Sequence, residues 1–313
     1  MSKVIYFIPG TMCNEKLWQP AWQLLQQQSV ECNCDYQLIH LVIPSSGSMD
    51  EVVANLANKI THDNAILVGF SLGGYIASAI ALKLGNKLRH LLIVSNFPQN
   101  LPAAEVKQRN RTVNWIKQRG YSGIPDKRID DLLHPNIKAF SLSRYQDIKN
   151  IITVMDQELG GNVLLHQIEV SLLRPDLLPL LANLTLPITF LVGDKDNLVD
   201  LVALRAELTQ APITAENITI EDVANTGHML PLESPEALAK ACKIATIIFY
   251  VRTLTLSDSK FSSLTLQSAI LENLSSLGYH EMTEIQAKSL PAILAGQDVI
   301  AQGKTGSGKT AAF

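Results

Sequence analysis

A serine flanked by glycines is the first feature of this sequence that indicates chemistry. Ser71 follows the apolar run Ala65–Val68 within Gly69-Phe70-Ser71-Leu72-Gly73, and small residues typical of a closely packed helix come after it. A serine on so sharp a strand-to-helix turn needs a glycine two residues before it and another two residues after it, because a Cβ there would strike neighbouring elements. The pattern predicts a nucleophile at the C-terminal edge of a sheet, beside the backbone N–H groups that open a helix.

A serine hydroxyl is a poor nucleophile at neutral pH, so it needs a base that takes its proton. His228 is the best placed of the seven histidines, because Gly227-His228-Met229-Leu230-Pro231 forms a loop between the last predicted strand and the last helix of the first 240 residues. We interpret five other histidines as ordinary surface or core residues. These are His40, His62, His90, His134 and His166.

The base in turn needs a carboxylate that fixes its tautomer and stabilises its charged form. The apolar run that ends at Val192 is followed by Gly193-Asp194-Lys195-Asp196, which offers two candidates. Asp196 is favoured because it lies further beyond the strand, on a loop that can reach His228, and Asp194 remains the alternative. The chain order Ser, Asp, His is the one used where a serine sits on such a turn.

The elements that position these residues alternate between short β-branched runs and helical patterns. This alternation predicts an α/β fold, a doubly wound and mostly parallel sheet with helices on both faces. About residues 100–185 lack strand character and are rich in helix formers, which predicts a helical cap over the strand ends. The predicted strands are Val4–Ile8, Gln37–Ile43, Ala65–Val68, His90–Val94, Ile188–Val192 and Asn217–Asp222.

Composition excludes several classes of protein. The 313 residues carry a formal net charge of -3 and have a sequence pI near 6.2, so no basic excess draws the whole chain to nucleic acid or an anionic membrane. The four cysteines are too few and too unevenly spaced for a disulfide framework or a zinc cage. No apolar run reaches membrane-spanning length. We expect a cytoplasmic protein with no metal and no membrane association.

Residues 1–244 resemble the α/β-hydrolase superfamily. The resemblance rests on the serine turn, the Gly-x-x-Asp loop, the Gly-His segment followed by Pro-Leu-Glu-Ser-Pro, and Ile8-Pro9-Gly10-Thr11-Met12 with Trp18 beyond it. It implies that the N–H groups of Thr11 and Leu72 form an oxyanion hole, although Pro9 stands where the family usually has histidine. The first strand leads directly into this loop, so we expect the sheet to lack the family's first edge strands.

The chemistry implied by this resemblance is that of a serine hydrolase without a cofactor. Its substrate is expected to be a small-molecule carboxylic ester or a related acyl compound, and branches with an aspartate nucleophile are disfavoured. Thioester and carbon–carbon bond hydrolysis use the same triad and stay open as alternatives. A hydrolase fold that only binds its ligand is a further alternative, which the complete triad argues against.

The C-terminal part of the sequence has a different character. Residues 261–313 end in Gly303-Lys304-Thr305-Gly306-Ser307-Gly308-Lys309-Thr310, which satisfies the phosphate-binding pattern G-x-x-x-x-G-K-[ST]. With Phe261 placed 17 positions before Gly278, and with Gln286, this stretch resembles the start of a DEAD-box RNA helicase of the DbpA type. The resemblance implies that Gln286 reads adenine and that Lys309 and Thr310 meet phosphate and Mg²⁺. Phe261, Gly303, Thr305, Gly306, Ser307 and Gly308 complete the implied ATP site.

The helicase resemblance covers only about the last fifty residues. The sequence contains no Asp-Glu-Ala-Asp box and no second helicase domain. We therefore expect weak or no ATP binding, no RNA binding and no helicase activity, and an RNA helicase is the rival function suggested by this tail alone. Residues 245–260 do not resemble a designed linker, so we interpret them as a translated join between two neighbouring reading frames.

Overall fold

The structure, a computed structural model, describes residues 3–32, 35–210, 217–247 and 260–294. The chain divides into two compact units, Met1–Thr246 and Ile247–Phe313. The sequence places its boundary two residues earlier, between residues 244 and 245.

A parallel six-stranded sheet forms the centre of the first unit. Its strand order is β2-β1-β3-β4-β5-β6, and every adjacent pair is parallel. The strands are β1 (Lys3–Ile8), β2 (Tyr36–His40), β3 (Ala65–Phe70), β4 (Leu88–Val94), β5 (Ile188–Gly193) and β6 (Ile218–Val223). The predicted α/β class and parallel sheet are confirmed. The second strand ends at His40 rather than Ile43, because its pairing with β1 stops at the Phe7–His40 pair, one residue before β1 ends at Ile8.

Helices cover both faces of this sheet. They are α1 (Gln19–Cys32), α2 (Met49–Lys59), α3 (Leu72–Leu84), α9 (Leu201–Gln210), α10 (Leu230–Glu233) and α11 (Pro235–Ile247). Alternate residues of β1 point to opposite faces, with Ile5 and Phe7 in one apolar cluster and Tyr6 and Ile8 in the other. This period of two is expected of a strand buried on both sides.

The cap predicted for about residues 100–185 consists of five helices. They are α4 (Ala103–Arg119), α5 (Asp126–Leu132), α6 (Ile137–Phe140), α7 (Leu142–Leu172) and α8 (Leu178–Ala182). Helix α7 is interrupted at Gly160, where φ is 73° and ψ is 171°. A left-handed φ of this kind suits glycine, which has no Cβ to clash with the backbone. The interruption divides α7 into two helical segments.

The described part of the second unit consists of short elements. A single 3₁₀ turn (Phe261–Ser263) precedes α12 (Ser268–Ser276) and α13 (Glu284–Leu294), and Lys260 forms an isolated antiparallel bridge with Glu281. A small apolar cluster contains the buried residues Phe261, Leu264 and Met282. Across the described residues of both units, no helix has the length and apolarity that crossing a membrane requires.

Candidate active site

Ser71 occupies a strained turn between β3 and α3. Its φ of 50° and ψ of -119° lie in a region that residues with a side chain rarely adopt. The Ser71 N–H donates to the carbonyl of Val94 on the neighbouring strand at 2.9 Å, which ties the turn to the sheet. Ser71 therefore lies where the sequence predicts it, at the C-terminal end of β3 and immediately before α3.

Two glycines allow the elements around Ser71 to approach closely. A Cβ on Gly73 would lie 2.2 Å from the carbonyl oxygen of Ile8, and a Cβ on Gly10 would lie 2.8 Å from the Phe70 ring and 3.0 Å from the Ser71 Cβ. Contacts under 3.0 Å with backbone cannot be relieved by moving a side chain. The loop of residues 9–18, which we call the oxyanion loop, is thus packed directly against the serine turn.

His228 and Asp196 complete a line of hydrogen bonds that begins at Ser71. His228 Nε2 lies 3.1 Å from Ser71 Oγ, and His228 Nδ1 lies 2.9 Å from Asp196 Oδ2 and 3.0 Å from Oδ1. A carboxylate can only accept, so Nδ1 carries the hydrogen, and the neutral ring then offers its Nε2 lone pair to the serine hydroxyl. The His228 side chain is 5% exposed and that of Asp196 is 0% exposed, so water competes little with either bond.

The structure separates the two candidate carboxylates. Asp196 contacts His228, whereas Asp194 Oδ1 accepts the backbone N–H of Thr226 at 3.1 Å and its Oδ2 lies 3.9 Å from Lys195 Nζ. Asp194 therefore braces the loop that leads to His228. Asp196 is the carboxylate with access to the imidazole.

The environment of Asp196 keeps its carboxyl group ionised. Burial acts to raise the Asp196 pKa, but His228, the N–H of Leu198 and the nearby Ser95 hydroxyl favour the charged form, and the pKa is lowered overall. A lowered pKa means that Asp196 stays charged throughout the neutral range. A carboxylate that stays charged at this position can fix the tautomer of a neighbouring imidazole.

The two backbone donors assigned to an oxyanion hole lie on either side of the serine. Leu72 is the first residue of α3, so its N–H has no carbonyl partner within the helix. Thr11 lies in the oxyanion loop, and among the described residues its N–H makes no hydrogen bond. Thr11 follows β1 and Leu72 follows β3, and the strand order of the sheet reverses between these two strands. Ligands of doubly wound sheets bind at such a point.

Comparison with protein-family models decides the family. Residues 35–241, more than half of the chain, match the alpha/beta hydrolase family. The chain belongs to the alpha/beta hydrolase family. We call residues 1–246 the hydrolase domain from here on.

Solved structures show the same fold as the hydrolase domain. A thermophilic esterase from Thermogutta terrifontis superposes with a TM-score of 0.64 at 21% identity, covering 78% of this chain and 89% of the esterase. An enol-lactonase from Burkholderia xenovorans LB400 gives a TM-score of 0.62 at 13% identity over 79% of this chain and 92% of its own. At such identities the likeness concerns the fold.

The C-terminal part matches a different family. Residues 283–313 match the DEAD/DEAH box helicase model. The ATP-dependent RNA helicase DbpA of Escherichia coli K12 is 65% identical over 54 residues, which are 17% of this chain and 12% of the helicase. RhlB of Photobacterium profundum is 44% identical over 63 residues, which are 20% of this chain and 14% of the helicase. The chain thus spans about an eighth of the length of these helicases.

The nucleotide site implied for this helicase-like segment falls mostly outside the described residues. Gly303, Thr305, Gly306, Ser307, Gly308, Lys309 and Thr310 all lie outside them. Phe261 is buried in the small cluster of the second unit. The buried Gln286 accepts the Thr283 N–H through Oε1 at 2.9 Å. Neither placement tests the assigned role in adenine binding.

The residues that tie the cap to the histidine loop, residues 224–229 between β6 and α10, were not predicted from the sequence. The N–H of His228 donates to the carbonyl of Leu132, at the end of α5, at 2.9 Å. Glu233 Oε2 accepts the N–H of His134 at 2.7 Å, and Arg144 Nη2 donates to the Glu233 carbonyl at 2.5 Å. Burial raises the Glu233 pKa, although nearby backbone N–H groups act in the opposite direction. Glu233 belongs to the Pro-Leu-Glu-Ser-Pro segment, but nothing in its spacing indicates these partners.

Proposed function

We propose that the hydrolase domain is a serine hydrolase that cleaves a small-molecule carboxylic ester or a related acyl compound. Ser71 is the nucleophile, His228 the general base and Asp196 the carboxylate that orients it. The proposal is carried by one observation, the continuous line from Ser71 Oγ through His228 Nε2 at 3.1 Å and from His228 Nδ1 to Asp196 Oδ2 at 2.9 Å. Family membership supports the same chemistry.

The first half of the proposed reaction forms an acyl-enzyme. Ser71 Oγ attacks the acyl carbonyl while its proton passes to His228 Nε2, and the carbonyl oxygen becomes an oxyanion. The N–H groups of Thr11 and Leu72 stabilise this oxyanion. When the tetrahedral intermediate collapses, the C–O bond to the alcohol breaks and the alcohol leaves with the proton from His228.

The second half repeats these steps with water. His228 takes a proton from the water that attacks the acyl carbon, and the proton then returns to Ser71 Oγ as the acid is released. Asp196 stays ionised throughout and stabilises the charged imidazole. The steps balance with ester and water as the reactants, so the proposal requires no metal and no organic cofactor.

The nature of the relatives supports the choice of acyl substrate. The T. terrifontis protein is described as an esterase and the B. xenovorans protein as an enol-lactonase. We therefore propose carboxylic esters ahead of thioesters and carbon–carbon bonds.

We also propose a cytoplasmic site of action, since Cys13 and Cys242 are buried free thiols, as expected in a reducing compartment.

Covalent labelling tests the proposal without knowledge of the natural substrate. A fluorophosphonate probe is expected to label the purified protein and to block hydrolysis of short p-nitrophenyl esters, and Ser71→Ala is expected to abolish both. Ser78→Ala is the matched control, because Ser78 is a buried serine on α3 whose hydroxyl donates to the Gly74 carbonyl. If Ser71→Ala hydrolyses these esters at the wild-type rate, or if the probe does not label the wild-type protein, the assignment of Ser71 as the nucleophile is wrong.

A further inference from the structure

The oxyanion loop is bonded to the cap through the residue that follows its proposed donor. The N–H of Met12 donates to Oε1 of Gln167 at 2.9 Å, across 155 positions of sequence. Gln167 belongs to the C-terminal segment of α7 and is 2% exposed, and Met12 is 7% exposed. Water therefore cannot readily replace Gln167 as the acceptor.

The backbone of Met12 needs an external restraint. Its φ of 55° is left-handed, a conformation that a residue with a side chain adopts only at a cost in free energy. A buried N–H without an acceptor would add a further cost. The bond to Gln167 removes the second cost and holds the peptide in the orientation that the strained φ requires.

This peptide lies next to the one that carries the proposed oxyanion donor. Rotation of the Thr11–Met12 peptide changes ψ of Thr11 and φ of Met12, and in a loop packed this closely against the serine turn the adjoining Gly10–Thr11 peptide, which carries the Thr11 N–H, must shift with it. Oxyanion stabilisation depends on donors held in place before the reaction, and a misplacement of about 1 Å can cost about 100-fold in rate. The acceptor on Gln167 is thus one peptide away from a group that the proposed reaction uses.

The other segment of α7 holds the same loop from the far side. Asn14 Nδ2 and Lys16 Nζ donate to Glu158 at 2.7 Å and 2.8 Å, and the Asn14 N–H contacts the Met155 sulfur at 3.5 Å. These partners lie before the interruption at Gly160, whereas Gln167 lies after it. The polar pairs with Glu158 are exposed and contribute little, so the buried bond to Gln167 is the stronger restraint.

We propose that Gln167 is a positioning residue that sets the oxyanion loop for catalysis. The proposal rests on the proposed serine hydrolase function and extends it, because it gives the cap a part in the chemistry besides enclosing the substrate. Gln167 acts through the Met12 N–H on the Thr11 donor. It therefore affects the step in which the oxyanion forms, and not the initial binding of a ligand.

Kinetics of fluorophosphonate inactivation separate these two effects. Gln167→Leu removes the acceptor with little change in side-chain volume. We expect its first-order inactivation rate constant to fall by about 10- to 100-fold. The concentration for half-maximal inactivation is expected to change by less than about threefold, since that quantity reports binding. The pH profile of inactivation should keep its shape, because Ser71, His228 and Asp196 are untouched.

Ser171→Ala is the matched control on the same helix. Ser171 lies one turn beyond Gln167 and is buried; its hydroxyl donates to the backbone carbonyl of Gln167 at 2.8 Å and accepts from Arg109 Nη1 at 2.9 Å. Its removal perturbs the same turn of the helix but leaves the Gln167 side chain and its acceptor oxygen in place. We expect this variant to be inactivated at the wild-type rate. Thermal unfolding of each variant shows whether it is folded.

If Gln167→Leu does not fold, Gln167→Asn is the second variant for the same inactivation measurement. It stays polar but withdraws the oxygen by one carbon–carbon bond, so its inactivation rate should fall as well. Equal rate constants for a folded Gln167 variant and the wild type, or an equal fall in Ser171→Ala, would overturn the proposal. If the wild-type protein is not labelled at all, the proposed function itself fails. The two failures are therefore distinguishable.

Discussion

At the scale of single residues, the site combines backbone strain with buried charge. Ser71 keeps a φ of 50°, a conformation that costs on the order of 1–3 kcal/mol and persists only where packing enforces it. This backbone conformation places the Ser71 hydroxyl beyond the end of β3, within hydrogen-bond distance of His228. Asp196, whose side chain is 0% exposed, keeps its charge because the imidazole and the loop donors stabilise the ionised form. Strain and burial act together to hold the three groups in line.

The two aspartates of the acid loop should differ sharply in their effect on turnover. Asp196→Asn is expected to lower kcat by about 10⁴-fold, because an amide can donate to the histidine and favour the wrong tautomer. Asp194→Asn keeps an oxygen that can accept the Thr226 N–H and should lower kcat by less than about tenfold. Steady-state hydrolysis of p-nitrophenyl acetate by both variants measures the difference. If kcat falls further in Asp194→Asn than in Asp196→Asn, Asp194 and not Asp196 is the carboxylate that orients His228.

At the scale of elements, two adjacent strands bring the serine turn and the oxyanion loop together. β1 pairs with β3, so the oxyanion loop after Ile8 and the turn after Phe70 emerge side by side. Helix α3 then packs so closely on the end of β1 that Gly73 has no room for a Cβ. The cap adds contacts through Leu132 to the His228 N–H, through His134 to Glu233 beyond it, and through Gln167 to the oxyanion loop.

Gly73→Ala tests the close packing of α3 on β1. The new Cβ would lie 2.2 Å from the Ile8 carbonyl oxygen and 2.3 Å from that of Pro9, so backbone must move. We expect a loss of about 1–3 kcal/mol in the free energy of unfolding, measured by urea denaturation. Fluorophosphonate labelling of the folded variant should also slow, because the displaced backbone belongs to the oxyanion loop.

Lys83→Ala on the same helix is the control for this substitution. Lys83 is exposed near the C-terminal end of α3, and its loss should change the stability by less than about 0.5 kcal/mol. If Gly73→Ala unfolds at the same urea concentration as the wild type, α3 and β1 are far enough apart to accept a Cβ at position 73.

At the scale of the whole molecule, two units of different ancestry share one chain. The hydrolase domain contains all the residues of the proposed reaction. In the helicase-like segment, residues 261–313, the DEAD/DEAH box helicase model matches residues 283–313, and the match to DbpA covers 12% of that helicase. These 313 residues include a phosphate-binding pattern but no Asp-Glu-Ala-Asp sequence. A phosphate-binding loop alone does not supply the carboxylate that holds Mg²⁺ in P-loop enzymes.

The chain is therefore expected to show no RNA-stimulated ATP hydrolysis. Phosphate release would be measured for the 313-residue protein with and without ribosomal RNA, with Lys309→Ala as the matched control. Both proteins should give the same background. If RNA stimulates phosphate release and Lys309→Ala abolishes that stimulation, this expectation is wrong and the helicase hypothesis is supported.

The sequence by itself determined the features that depend on neighbours along the chain. Alternating apolar runs indicate the six strands, and the glycines around Ser71 indicate the turn, because strand periodicity and turn geometry are local. The chain order of the candidate triad and the phosphate-binding pattern of the tail are likewise properties of short segments. The predicted end of β2 at Ile43 was wrong by three residues, since strand ends depend on pairing as well as on apolar character.

Only the tertiary structure decided which distant groups meet. Asp194 and Asp196 are the same residue type on the same loop. Which of them contacts His228 depends on how that loop bends in the folded chain. The bonds from Gln167 to Met12 and from Glu233 to His134 join residues 155 and 99 positions apart. Such contacts leave no periodic signal, because one polar side chain among helix-forming residues is compatible with many partners. The packing of the cap on the sheet selects a single partner for each.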